Sequence, residues 1–302
     1  MLIDSATEAL HTPGGFLHDA FVYCGDDEFV RQTASFVLDG LAVGDAVLAA
    51  LPPVRIAKLR SALGPAADQV TFIDITSVGS NPARIIPLLR NLLDQHPGRT
   101  VRGIGEPAYP GRTAAEFEEA ALHEALLNVA FEDDGPLRLL CPYDESMVTP
   151  AIAETHSGAF ARSTAEETFR TRLPGVPAYA EQLEFGLAEL TAVRQWLTAR
   201  ARSHGLSGSG LGDLALALHE VCTNSIRFGG GRGTLSLWTD GGSLVLDVTD
   251  EGRIDDLLVG RVLPPVDGLG GRGVWLANQL CDLVQIRSGA GFTQVRLHTR
   301  LG

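Results

Sequence analysis

Glu220 and Asn224 lie four residues apart in a stretch of helical periodicity, so they share one face, one turn apart. Measured from Leu218 at the centre of the apolar stripe, they project roughly 200° and 240° around the axis, away from the apolar contacts. Farther along, Asp250-Glu251-Gly252 ends an alternating apolar run. A carboxylate at a strand end can accept a hydrogen bond from a base amino group, and a glycine two residues on lets a ring approach the backbone. Gly268-Leu269-Gly270-Gly271-Arg272-Gly273 then runs into a helical segment. Glycines ahead of a helix present unhindered N–H groups and the positive dipole end to a phosphate. Each pattern alone has a plain alternative: a solvated helix face, an ordinary turn, a flexible loop. The chain contains its own control, because Leu122-His123-Glu124 and Asn128 repeat the Glu-to-Asn spacing with no glycine-rich segments after them. That second pair reads as an ordinary helix.

Two kinds of element position these residues. From Asp19 to His156, five short apolar runs (Ala20–Cys24, Asp45–Leu51, Val70–Asp74, Thr100–Gly105, Leu137–Cys141) are each followed by a helical stretch. The helices expected are Glu28–Leu41, Pro53–Leu63, Pro82–Gln95, Thr113–Phe131 and one beginning at Thr149–Thr155. This rhythm predicts an α/β domain with a doubly wound, mostly parallel sheet over residues 1–156. Residues 157–182, with Pro174-Gly175-Val176-Pro177, read as a linker. Residues 183–302 predict an α+β two-layer sandwich: helices Leu187–Ser203 and Leu211–Phe228, a hairpin around Asp240-Gly241-Gly242, a helix Arg272–Cys281, and strands Leu283–Arg287 and Phe292–His298.

Composition narrows the classes. The chain has 302 residues, 45% hydrophobic and 20% charged, enough for two globular cores and unlike a disordered chain. No apolar run reaches the ~18–20 residues that span a bilayer, and the N-terminus lacks a signal-peptide pattern. A net charge of −13 argues against nucleic acid and anionic membranes as partners. Cys24, Cys141, Cys222 and Cys281 are scattered in apolar stretches without zinc spacing, and read as reduced core thiols of a cytoplasmic protein. Lys58 is the only lysine, so a phosphate would rest on arginine, backbone N–H groups or a metal, and a P-loop NTPase is disfavoured.

Taken in order, His219-Glu220-Val221-Cys222-Thr223-Asn224, Asp250-Glu251-Gly252 and Gly271–Val284 resemble the three nucleotide-binding boxes of the GHKL (Bergerat-fold) ATPases. The likeness is greatest to the small serine kinases that act as anti-sigma factors. The resemblance implies ATP and Mg²⁺ as cofactors, with Asn224 holding the metal and Glu220 orienting or deprotonating the attacking hydroxyl. It places Asp250 on the adenine amino group with Gly252 giving room, Gly270, Gly271 and Gly273 around the phosphates, and Arg272 adding charge. It also implies protein partners, a sigma factor and its antagonist, with a homodimer open. The family's first glycine box reads Asp-x-Gly-x-Gly, whereas Ile254 stands at its last position here, which puts catalysis in question. His219, beside the buried stripe, reads as structural.

In the N-terminal domain, His18–Tyr23, Arg102–Glu106 and Leu139–Asp144 resemble the MEDS sensory domain, which is RecA-like without nucleotide chemistry. The resemblance implies a small-molecule signal. Sheets of this kind bind ligands beyond the C-terminal strand ends, where Asp26, Asp27, Asp74, Glu106, Tyr143 and Asp144 stand; Asp26, Glu106, Tyr143 and Asp144 are the candidate sensory residues. The sequence thus supports an ATP-dependent serine/threonine kinase under sensory control. Its rivals are a non-catalytic module that binds ATP or a partner, and a histidine-kinase-related sensor, although no phosphoacceptor helix precedes the ATPase-like part. A small-molecule enzyme finds no nucleophile–base pair.

Overall fold

A strand buried on both faces has to be apolar throughout, and β2 (Ala46–Leu51) is buried at all six positions. It lies inside a parallel sheet with β1 (Leu17–Tyr23), β3 (Val70–Asp74), β4 (Val101–Gly105) and β5 (Leu137–Asp144), in the order β1-β5-β4-β2-β3. The helices between them are α1 (Gly25–Ala42), α2 (Pro53–Leu63), α3 (Ile85–Gln95) and α4 (Ala114–Phe131). This computed structural model describes residues 15–148, 152, 155–156, 158–264 and 271–301. The chain divides into two compact units, Met1–Ala165 and Glu166–Gly302.

Local chemistry sets the helix starts in the first unit. Pro53 occupies the first turn of α2, where its missing N–H costs nothing. Thr113 and Glu116 close a reciprocal capping box on α4. The helix expected from Pro82 begins instead as a 3₁₀ turn capped by Asn81, with α3 proper starting at Ile85. The helix expected from Thr149 falls mostly outside the described residues.

Alternation along the strands sends side chains to two cores. Phe21 and Tyr23 of β1, Ile104 of β4 and Leu140 of β5 pack with Phe29, Val37, Leu59 and Leu63 of α1 and α2. Each such burial contributes about 1.5–3 kcal/mol relative to exposure. Ala20, Cys141 and Tyr143 face the other way, toward Phe117 of α4. Gly103 on that face has no room for a methyl group, since a Cβ there would lie 2.6 Å from Leu139 and 3.5 Å from Leu89 of α3. Helices therefore cover both faces of the sheet, as the sequence rhythm requires.

Helix α5 (Gly158–Arg170) occupies the start of the segment read as a linker, and the unit boundary falls within it. The second unit holds β6 (Glu181–Gly186), α6 (Leu190–Ser203), α7 (Gly208–Phe228), β7 (Arg232–Asp240), β8 (Ser243–Asp250), α8 (Arg272–Leu280), β9 (Leu283–Gly289) and β10 (Phe292–Arg300). The antiparallel order is β6-β7-β8-β10-β9. β6 is absent from the sequence reading because a short strand with alternating polar residues resembles loop. Gly241 and Gly242, with φ of 53° and 80°, make the two-residue turn that joins β7 to β8.

Register aligns Leu235, Val248, Val295 and Ile286 across this sheet, and beside them Leu237, Leu246, Leu297 and Val284. The buried stripes of α6, α7 and α8 pack on this unit's sheet. The other side is polar: Asp247 accepts from Arg296 Nε at 2.7 Å and from Gln294 Nε2 at 2.9 Å.

Candidate functional site

The stripe Leu211, Leu214, Leu218, Val221 and Ser225 of α7 is buried, which leaves Glu220 and Asn224 half-buried on its flank. What lies against them is backbone. A Cβ added to Gly273, in the first turn of α8, would sit 2.6 Å from Glu220 Oε2, 3.1 Å from Glu220 Cβ and 3.3 Å from Asn224 Nδ2. Any other residue at 273 would displace the Glu220 carboxylate, so glycine is required by close approach. The start of α8 thereby meets the polar pair.

The other end of α7 meets the first glycine segment. Gly229, its C-cap, lies so close to Asp250 that a Cβ would fall 2.3 Å from the carboxyl carbon. Gly252 closes the opposite side: its N–H donates to Asp250 Oδ1 at 2.8 Å, and a Cβ there would be 2.9 Å from Gly229 Cα and from the Phe228 carbonyl oxygen. Asp250 is thus clamped between two glycines at the end of β8. α7 thus carries the first of the three segments that sequence order had brought into line and meets the other two.

Ile254 accounts for its own departure from the family pattern. Among the described residues only glycines have positive φ, so the backbone at 254 is one that isoleucine adopts without strain. Its N–H donates to Ser288 Oγ at 2.7 Å, and that hydroxyl donates to the Phe292 carbonyl at 3.1 Å. Gly252 carries the close approach; position 254 does not need it. Asn278 of α8, 1% exposed, donates to the Gly260 carbonyl at 3.0 Å and anchors the following loop. Neither Ser288 nor Asn278 was singled out from the sequence, since both anchor backbone from remote strands or helices.

The residues fit a nucleotide's phosphates on two observations. Gly271, the N-cap of α8, has φ of 86°, and no side chain caps that helix start. A helix start of this kind turns its first N–H groups outward, as an anion site requires. The exposed Arg272 follows directly, and Gly270 lies outside the described residues. His219 is exposed rather than packed beside the stripe, which corrects its structural reading.

The first unit divides its candidates between two places. Arg55 pairs with Asp26, as does Lys58, and Arg55 Nη2 donates to Tyr23 Oη at 2.8 Å. Tyr23 in turn donates to Glu106 Oε1 at 2.6 Å, and Glu106, 2% exposed, is raised above the ordinary carboxylate range by burial. Its Oε2 has no hydrogen-bond partner among the described residues. Asp144 caps the turn after β5, where Ser146 holds its carboxyl low.

Tyr143 belongs elsewhere: its hydroxyl donates to Glu124 Oε2 at 3.2 Å. Around that carboxylate stand His18 of β1, Cys141 of β5 and His156. The Glu124–Asn128 pair is therefore not the ordinary helix face read from the sequence. Burial alone would raise Glu124, but the two imidazoles hold it well below the usual carboxylate range; burial lowers His18 and pushes the Cys141 thiol well up. A signal was present: Glu116, Glu119, His123 and Glu124 share the buried side of α4, and titratable groups there need partners. Cys141, Cys222 and Cys281 are buried as expected, whereas Cys24 is exposed.

Residues 17–157 match the MEDS family, described as the methanogen/methylotroph, DcmR sensory domain. Residues 183–299 match the histidine kinase-like ATPase domain. The chain is thus a MEDS domain followed by a histidine kinase-like ATPase domain, a kinase-like ATP-binding fold. Among solved structures it is similar to the RsbU and RsbW domains of Rv1364c from Mycobacterium tuberculosis, at 19% identity and a TM-score of 0.29, over 40% of this chain and 32% of that one. The match therefore spans about a third of that protein's length. Another similar structure is the Acinetobacter baumannii histidine kinase AdeS, at 12% identity and a TM-score of 0.24, over 61% of this chain and 95% of that one. No curated protein matches. No described helix is long and apolar enough to cross a membrane.

Proposed function

We propose that this chain is a cytoplasmic regulator whose ATPase domain transfers the γ-phosphoryl group of ATP to a serine or threonine of an antagonist protein. That transfer would govern capture of a sigma factor, under control of the N-terminal sensory domain. The observation that supports the reading is the seating of Gly273 against Glu220 and Asn224, which joins a carboxylate, an amide and a helix start.

In this reading the substrate hydroxyl attacks phosphorus as the bond to the β-phosphate oxygen breaks, and Glu220 takes the hydroxyl proton. Asn224 would hold Mg²⁺, which would neutralise phosphate charge. Gly271 and Gly273, with Gly270 before them, present backbone to the phosphates and Arg272 adds charge. Asp250, clamped by Gly229 and Gly252, accepts from the adenine amino group. Asp26, Glu106, Tyr143 and Asp144 are assigned to signal sensing.

Labelled ATP with Mg²⁺ and a candidate antagonist tests this directly. Glu220→Gln should abolish transfer while keeping affinity for a fluorescent ATP analogue, and Asn224→Ala should lose Mg²⁺-dependent affinity. Absence of analogue binding by the intact chain would overturn every ATP-dependent reading.

A second reading, a module that binds ATP or a partner without chemistry, is favoured by Ile254 at the family's glycine position. ATP binding with no transfer to any antagonist, and full regulation by Glu220→Ala, would establish it.

A further inference from the structure

The buried cluster under the first unit's sheet has the composition and spacing of a metal site. His18 is on β1, Cys141 on β5, Glu124 on α4 and His156 in the segment after β5. Each offers one donor atom, and the four atoms all lie within 4.8 Å of one another. His18 Nε2 is 3.4 Å from Glu124 Oε2 and 3.3 Å from Cys141 Sγ, and His156 Nε2 is 3.1 Å from Glu124 Oε2. A tetrahedral ion with bonds of ~2.0 Å to nitrogen or oxygen and ~2.3 Å to one sulfur has donor–donor edges of roughly 3.3–3.5 Å. Three of the six edges, at 3.4, 3.3 and 3.1 Å, are already near that length.

The orientation of the His156 ring points the same way. His156, with a side chain 6% exposed, places Nδ1 2.8 Å from the Ile152 carbonyl oxygen, so that nitrogen carries the proton. Its Nε2 lone pair then aims into the cluster, where it makes no hydrogen bond among the described residues. A lone pair facing a carboxylate across 3.1 Å is repulsive, so either a second proton on the ring or a metal cation must lie between them. A backbone carbonyl fixing the far nitrogen is the usual support of a metal-bound imidazole. Tyr143 Oη, donating to Glu124 Oε2 at 3.2 Å, steadies the carboxylate.

We infer that His18, Glu124, Cys141 and His156 bind one divalent first-row transition ion of the zinc type. Imidazole and thiolate donors select that class over magnesium or calcium. The carboxylate and the thiolate together balance the 2+ charge, so the loaded site is neutral in a buried setting where net charge is costly. The four donors do not contribute equally. His18 Nδ1 faces Asn128 Nδ2 at 3.2 Å, and that amide nitrogen also donates to the Thr155 carbonyl at 2.9 Å and the Glu124 carbonyl at 3.2 Å. The amide is thus fixed as a donor, and the proton of neutral His18 sits on Nε2. To bind, His18 must move that proton to Nδ1 and give up the Asn128 contact. It is the weakest of the four ligands.

The experiment uses the full chain, stripped with a chelator and titrated with Co²⁺ as an optical probe, then with Zn²⁺. A thiolate-to-cobalt charge-transfer band should saturate at one ion per chain and vanish as Zn²⁺ displaces the probe. Cys141→Ala should remove the band. His156→Ala and Glu124→Gln should weaken binding about 10–100-fold, with His18→Gln weaker in effect than either. Cys24→Ala and Cys222→Ala, in thiols outside the cluster, should leave the band unchanged. No band in folded wild-type chain, a band that survives Cys141→Ala, or one lost in Cys24→Ala would each overturn the assignment. Because Cys141→Ala disturbs a core, His156→Ala with an unchanged circular dichroism spectrum supplies the second arm; undiminished affinity in that variant also overturns it.

Discussion

Two helices of this chain carry the same frame: Leu218-His219-Glu220 with Asn224 on α7, and Leu122-His123-Glu124 with Asn128 on α4. On α7 the histidine is exposed, and the acid and amide are half-buried against the backbone of Gly273. On α4 the histidine and the acid are each 4% exposed, and the amide is held by Thr155, Glu124 and His18. The first pair stands beside a glycine-led helix start, which suits a phosphate. The second is enclosed by rings, a thiol and a phenol, which suits an ion or a fixed polar core. Identical spacing thus supports different chemistry, because a carboxylate's behaviour is set by what surrounds it.

The comparison can be broken by exchanging the test between the two acids. Glu220→Gln should lower phosphoryl transfer by roughly 10²–10⁴-fold, the usual contribution of a positioned base, with the urea midpoint nearly unmoved. Glu124→Ala, measured by urea denaturation of the metal-free chain, should cost about 3–5 kcal/mol, because it removes one side of a buried, mutually compensating set. If Glu220→Gln destabilises as much as Glu124→Ala, the contrast between a working and an enclosed acid is wrong. Gly273→Ala should cost about 1–3 kcal/mol through overpacking and slow transfer as well, since the methyl would push on Glu220. Ile254→Gly should change ATP-analogue affinity less than twofold by titration, since no positive φ is required there. Smallest of all, His219→Ala should stay within about 0.5 kcal/mol of wild type, while the buried His123→Ala falls in the range of about 1–3 kcal/mol.

Much of the fold could be read from periodicity. Pro53–Leu63 and Val70–Asp74 have the bounds that apolar spacing and the Pro52-Pro53 start imply. β6 escaped because Glu181, Gln182 and Glu184 give an edge strand the look of a loop. In the ATPase domain the candidate residues were legible because α7, β8 and α8 are joined by recognisable glycines, and the packing of Gly229, Gly252 and Gly273 explains those glycines physically. Of the His18–Glu124–Cys141–His156 cluster only the ionisable residues of α4 gave a signal, since the other donors come from separate segments with no common spacing.

The residues alone were enough to assign the α/β and α+β classes and to order the glycine-bearing segments. These follow from hydrophobic period and glycine placement, which are local properties of the chain. Only the tertiary structure decided which Glu–Asn pair faces a glycine backbone and which is buried with two histidines and a cysteine. The β1–β5 pairing, which sets Ala20 opposite Cys141, brings His18 to the thiol, and the packing of α4 on that face supplies Glu124. Such contacts join residues distant in the chain, and no local pattern encodes them.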